Sequence, residues 1–189
     1  MRWIIAVLLI IVILATAILL IGCKNNDRDE EGGTEVTYDK NAPTKIESTE
    51  LVSFECDIST ITVVGVEEKE LEYGRYYFKC KLDDGTGKVT GTYGFHAQYD
   101  YSDVKEYPFE TDAGFMQDLN NIIIDSKIIS DNGKHSHTNG IPEEFGYSFK
   151  AIYASGEKIA CSDNQSNDLS LDTIKKLSDL FLTVCKIEE

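Results

Sequence analysis

An unbroken apolar run from Trp3 to Ile21, in which only Thr16 is polar, constrains this chain more than any other feature. As a helix it would reach about 28 Å, close to the roughly 30 Å of a bilayer core. Arg2 is the one charge ahead of it, and Asp27, Asp29, Glu30 and Glu31 follow. A lone cation on that side keeps the N-terminus in the cytoplasm, so the rest of the chain is exported whether the run is removed or stays as a span.

The run ends in Leu20-Ile21-Gly22-Cys23, which resembles the lipobox of bacterial lipoproteins, where a bulky residue and two smaller ones precede a cysteine. The resemblance implies diacylglycerol on the Cys23 thiol and cleavage ahead of it, with residues 1–22 as a lipoprotein signal peptide. Position carries the motif: the cysteine closes an N-terminal apolar run and opens a polar stretch. The alternative is an uncleaved signal anchor, because the run exceeds the ~7–15 apolar residues of an ordinary signal peptide.

Residues 23–44 read as an acidic, flexible tether, rich in Gly, Asn and acids and without apolar periodicity. Residues 45–189, about 145, suffice for one domain with its own core. The whole chain carries a formal charge of −15, and loss of Arg2 with a signal leaves the exported polypeptide more acidic still. Such a body repels nucleic acid and suits a cationic peptide or protein.

Within the domain, residues 46–58 alternate apolar and polar and predict a strand, with a shorter one at 61–66. Residues 72–82 and 88–101 predict a long hairpin closed by Asp83-Asp84-Gly85-Thr86-Gly87, whose Asp and Gly suit a tight turn. That turn also resembles one found in OB-fold nucleic-acid-binding domains, a use the acidic charge opposes. The period then changes: Phe115, Met116, Leu119, Ile122 and Ile123 predict a helix over about 112–125. Residues 130–140 read as a loop, 145–153 and 158–163 as a second hairpin. Leu171, Ile174, Leu177, Phe181, Val184 and Cys185 mark a second helix opening near Asp168 or Ser170. The expected fold class is α+β: an antiparallel sheet of hairpins with two amphipathic helices packed on one face, after the N-terminal signal or anchor.

Candidate chemistry is sparse. His135 and His137 would face one way in a strand and could share a metal, but they fall in the Gly/Asn-rich loop with no placed third ligand. His96 falls on the polar side of its strand. Beyond Cys23 stand Cys56, Cys80, Cys161 and Cys185. An even count in an exported domain permits disulfides, with Cys56–Cys80 and Cys161–Cys185 the nearest pairings. All four also sit at core-facing positions, where free thiols are equally at home. The tyrosines at 73, 76, 77, 93, 99 and 101 offer either core packing or a peptide or carbohydrate platform.

The stretch 115–181, with "FMQDLNNIII", then "FGYSFKAIYASGEKIACSDN" and a closing helix ending "LFLT", resembles a set of small lipoproteins of Firmicutes to which no reaction is assigned. The resemblance implies a fold and no catalytic residue. The expectation is a non-enzymatic binding module at the cell envelope, without a cofactor, held to the membrane by lipid on Cys23. A ligand strand on a sheet edge, or a basic partner such as a toxin on the acidic surface, would be the mechanism. Alternatives are a metal-assisted hydrolase using the His135/His137 loop and a structural subunit of an envelope complex.

Overall fold

Alternation of apolar and polar residues builds most of a single mixed sheet. The computed structural model describes residues 33–61, 71–97 and 105–186. Among them the strands are β1 Thr34–Tyr38, β2 Leu51–Ser59, β3 Gly74–Asp83, β4 Lys88–Ala97, β5 Lys105–Asp112, β6 Lys134–Thr138, β7 Tyr147–Tyr153 and β8 Lys158–Asp163. The helices are α1 Gly114–Ser126 and α2 Leu171–Leu182, with single 3-10 turns at Ile128–Asp131 and Glu143–Phe145. The strands lie in the order β1-β6-β8-β7-β2-β3-β4-β5. The fold is α+β.

The β3–β4 hairpin and its Asp-Gly turn stand where the sequence places them, as does the β7–β8 hairpin. The expectation of a purely antiparallel sheet of hairpins is corrected at one seam: β6 runs parallel to β8, pairing His135 with Ser162 and Ser136 with Asp163. β6 is not hairpin-linked to its neighbour. It follows α1, and the chain passes through β7 before β8 lies down beside it.

Three further expectations need correction. Residues 130–140 are not a simple loop, because 134–138 form β6. Within the tether reading of 23–44, residues 34–38 form β1, antiparallel to β6. The compact unit accordingly begins at Thr34 rather than at 45. The strand expected at 46–58 starts only at Leu51, because the N–H groups of Glu47 and Ser48 are drawn to the Glu157 carboxylate at 3.0 Å each. β5 is an element the sequence pattern does not announce, since Pro108 interrupts its alternation. A proline is tolerated there because β5 is an edge strand. The strand expected at 61–66, past Ile61, and the end of 88–101, past Ala97, lie outside the described residues, as does the run 3–21.

Both helices cover one face of the sheet. Asp112 accepts the Gly114 N–H at 2.8 Å ahead of α1, and α1 stops where Lys127 turns left-handed. Ser170 caps α2 by accepting the Thr173 N–H at 3.2 Å. Phe115, Met116, Leu119 and Ile123 of α1 and Ile174, Leu177 and Phe181 of α2 are buried. Their counterparts are the apolar parities of the strands, Phe54, Ile58, Phe78, Val89, Phe149 and Ile159 among them. Phe181, 0% exposed, is the hub. Its ring lies 5.1 Å from Phe78, 5.1 Å from Phe115, 5.5 Å from Phe109 and 6.3 Å from Phe54. Fully burying each such ring contributes about 1.5–3 kcal/mol. Gly146 marks the tightest backbone approach: a Cβ there would meet the Asp163 carbonyl oxygen at 1.7 Å.

Candidate functional site

The helices leave the opposite face of the sheet uncovered by either of them, and polar residues occupy it. On β2 and β3 it presents Glu55, Asp57, Arg75, Tyr77, Lys79 and Lys81, followed on β4 by Thr90, Thr92, Gly94 and His96. A hydrogen-bonded cluster stands at one end. Arg75 grips Asp57 with two bonds of 2.6 Å, Nε to Oδ1 and Nη2 to Oδ2, a fork-to-fork geometry that fixes both side chains. Its guanidinium carbon stands 5.5 Å from the centroid of the Tyr77 ring. The Tyr77 hydroxyl lies 3.3 Å from His96 Nε2. His96 therefore takes the polar side its parity predicts, yet is only 7% exposed, with the Tyr77 ring packed against it. Beside this cluster, a hollow of about 390 Å³ is bounded by Glu55, Asp57, Tyr77, Lys79, Glu106 and Ser148. Three carboxylates, one ammonium and several hydroxyls line it, so it can hydrogen-bond a polar ligand and carries an excess of negative charge.

The structure places His135 and His137 on one strand with a shared, exposed face. Each is engaged with a neighbour: His135 Nδ1 lies 2.9 Å from Ser162 Oγ, and His137 Nδ1 lies 3.0 Å from Glu143 Oε1. Among the described residues no group of three or more His, Cys, Asp or Glu side chains comes together to hold a metal. The other face of β6 is buried and polar. Asn164, which sequence patterning does not single out, accepts the Thr138 N–H at 2.7 Å and donates to the Thr138 and Ile141 carbonyls at 3.0 and 2.9 Å. That one amide ties the end of β6 to the turn after β8. Nearby, burial pushes the Asp163 carboxyl up, but the N–H groups of Gln165 and Ser166 outweigh it and hold the pKa below its ordinary value.

Cys56, Cys80, Cys161 and Cys185 are free thiols in the structure, one of the two states the sequence leaves open. Cys56 sits opposite Phe78 and Cys80 opposite Phe54, so the two thiols lie diagonally across β2 and β3. Cys80 Sγ instead meets the Met116 sulfur at 3.6 Å, and Cys185 Sγ points to the Tyr107 carbonyl at 3.5 Å. Burial raises all four pKa values, that of Cys80 to about 12 and that of Cys161 to about 11. Thiols held protonated in this way are poor nucleophiles. Of the hairpin tyrosines, Tyr76 and Tyr93 belong to the core and Tyr77 to the polar face. Tyr99 and Tyr101 lie outside the described residues, as does Cys23.

The two sheet edges differ. β5 carries Pro108 together with Lys105, Glu106 and Glu110, the residues that commonly guard an edge against further pairing. β1, Thr34-Glu35-Val36-Thr37-Tyr38, has none of proline, lysine or arginine and is exposed along its whole length. Val36 and Tyr38 are 44% and 66% exposed.

No helix among the described residues is long and apolar enough to cross a membrane. No protein-family model matches the chain, and no curated protein matches its sequence.

Proposed function

We propose that this chain is a lipid-anchored extracellular lipoprotein of a bacterial cell envelope, and that its sheet domain is a non-enzymatic binding module for a cationic peptide or protein. The observation that carries the anchoring is Cys23 at the end of the apolar run, with a polar, acidic stretch directly behind it. Diacylglycerol on that thiol holds the domain at the outer leaflet. The binding role is supported by the one-sided cover of the sheet, which leaves a polar face and a bare edge for a partner. It is supported too by the engagement of His135 with Ser162 and of His137 with Glu143, and by thiols whose protons are held by burial.

Intact mass of the protein extracted from its native membrane tests the anchor. The expected spectrum has residues 1–22 gone and a diacylglyceryl mass on Cys23, and Cys23→Ala leaves a full-length precursor without lipid. An unmodified full-length wild-type chain would sink the anchor. For the module, binding to basic proteins that weakens steeply with salt is expected. Affinity indifferent to salt would remove the electrostatic basis.

A further inference from the structure

We infer that the outer edge of β1 is the docking site of this module, and that its occupant is an extended peptide segment alternating apolar and cationic residues, which adds to the sheet as a further strand. The inference rests on the binding-module reading and names the place and chemistry of the partner.

The backbone sets the geometry. The Asp39 N–H donates inward to the Gly133 carbonyl at 2.8 Å, and an antiparallel strand alternates its inward and outward groups. Glu35 and Thr37 therefore pair with β6, while Thr34, Val36 and Tyr38 turn their N–H and C=O groups outward. Those groups face away from the sheet at its end. An incoming strand satisfies them by backbone bonding, as peptides do at other sheet edges. The opposite edge is protected by Pro108 and flanking charges, so the sheet has one receptive edge and one guarded edge.

The side chains choose the sequence of the occupant. Thr34, Val36 and Tyr38 share one face, and the two exposed apolar groups there form a short strip that apolar residues of an added strand would cover. Glu35 and Thr37 share the other face, and the Glu35 position is opposite His137, whose ring is engaged with Glu143. Lysine or arginine at alternate positions of the added strand falls beside Glu35. Asp39 closes the strand at one end and adds a second carboxylate to the edge. The same charges disfavour a second copy of this chain, which would bring its own Glu35 and Asp39 to the seam. In an antiparallel ladder like charges directly opposed are destabilising.

The test uses the full-length protein in zwitterionic detergent and a fluorescent peptide of alternating valine and lysine, read by anisotropy. Three controls define the mode: the same peptide N-methylated on alternate amides, a valine–glutamate peptide, and the variant Val36→Pro. Because the Val36 N–H points outward, proline there removes an edge donor while the bonds of β1 to β6 remain. Saturable binding is expected, weakened about tenfold by Val36→Pro and by N-methylation, and weakened by added salt. Glu35→Gln is expected to reduce both affinity and salt dependence. The glutamate peptide is expected not to bind. Binding that survives both Val36→Pro and N-methylation would overturn the edge mode. Self-association of the protein abolished by Val36→Pro, with no peptide bound, would give the edge to a second copy and overturn the peptide. A mass spectrum without lipid, with peptide binding intact, would remove the anchor and leave this inference standing.

Discussion

Phe181→Ala is the perturbation that most directly tests how the helices are held to the sheet. The ring is fully buried and touches four others, three from β2, β3 and β5 and one from α1. Truncating a buried Phe to Ala costs about 3–5 kcal/mol, through lost transfer free energy and through the cavity left behind. Here the upper half of that range is expected. The surrounding rings come from rigid strands and a packed helix, which cannot collapse into the space. With a urea m-value of about 2 kcal/mol/M, the midpoint of unfolding should fall by about 2 M. The assay is equilibrium urea denaturation of the detergent-solubilised protein, followed by tyrosine fluorescence and far-UV circular dichroism. Ile124→Ala on α1 is the reference: Ile124 is 61% exposed, so its truncation should cost about 0.5 kcal/mol or less. If the two variants shift the midpoint by similar amounts, Phe181 is not packed as described and the one-face arrangement of the helices is wrong.

Ellman's reagent should find the thiols of Cys56, Cys80, Cys161 and Cys185 all reactive once the protein is unfolded in urea, with a fifth only where Cys23 carries no lipid. In the native protein the half-buried Cys185 should react first and the other three slowly. Fewer than four thiols on unfolding would mean that disulfides form in the native protein. Stability should fall in alkali. The ordinary thiol pKa is 9.0 and burial raises that of Cys80 to about 12 and that of Cys161 to about 11, while Tyr153 rises from 10.0 to about 12, also by burial. The unfolded chain therefore releases these protons first, and each unit of separation removes about 1.4 kcal/mol as pH passes from about 9 toward 12. A urea midpoint that stays level from neutral pH through about pH 11 would contradict the burial of these groups. Asn164→Ala should cost about 3 kcal/mol, because it leaves the buried Thr138 N–H without its acceptor. Local amide exchange along β6 should speed up more than along β2, and equal effects on both strands would refute the local role.

Much of the sheet is legible in the sequence because its strands bury one face. Phe54, Cys56 and Ile58, or Tyr76, Phe78 and Cys80, alternate with polar residues for a physical reason: one parity meets the helices and the other does not. The helices are legible likewise from their apolar stripes, and Ser170 is legible as a cap. β1 and β6 are hidden from such reading. They lie at the end of the sheet, where their buried contacts are polar or absent, and backbone pairing holds them rather than an apolar face. The tie through Asn164 is a contact between residues 26 apart in sequence, which no local pattern announces. The Asp57–Arg75–Tyr77–His96 cluster is halfway legible. Parity places all four on one face, but only the alignment of β2, β3 and β4 makes them neighbours.

The amino-acid order alone thus determines periodicity, turns and caps, because each depends on a few consecutive residues. Strand order, the parallel seam between β6 and β8, the free state of the thiols and the bare edge at β1 were decided by the tertiary structure. Each of these depends on which distant segments lie side by side, and the energy that selects among such pairings resides in contacts between segments rather than within any one of them.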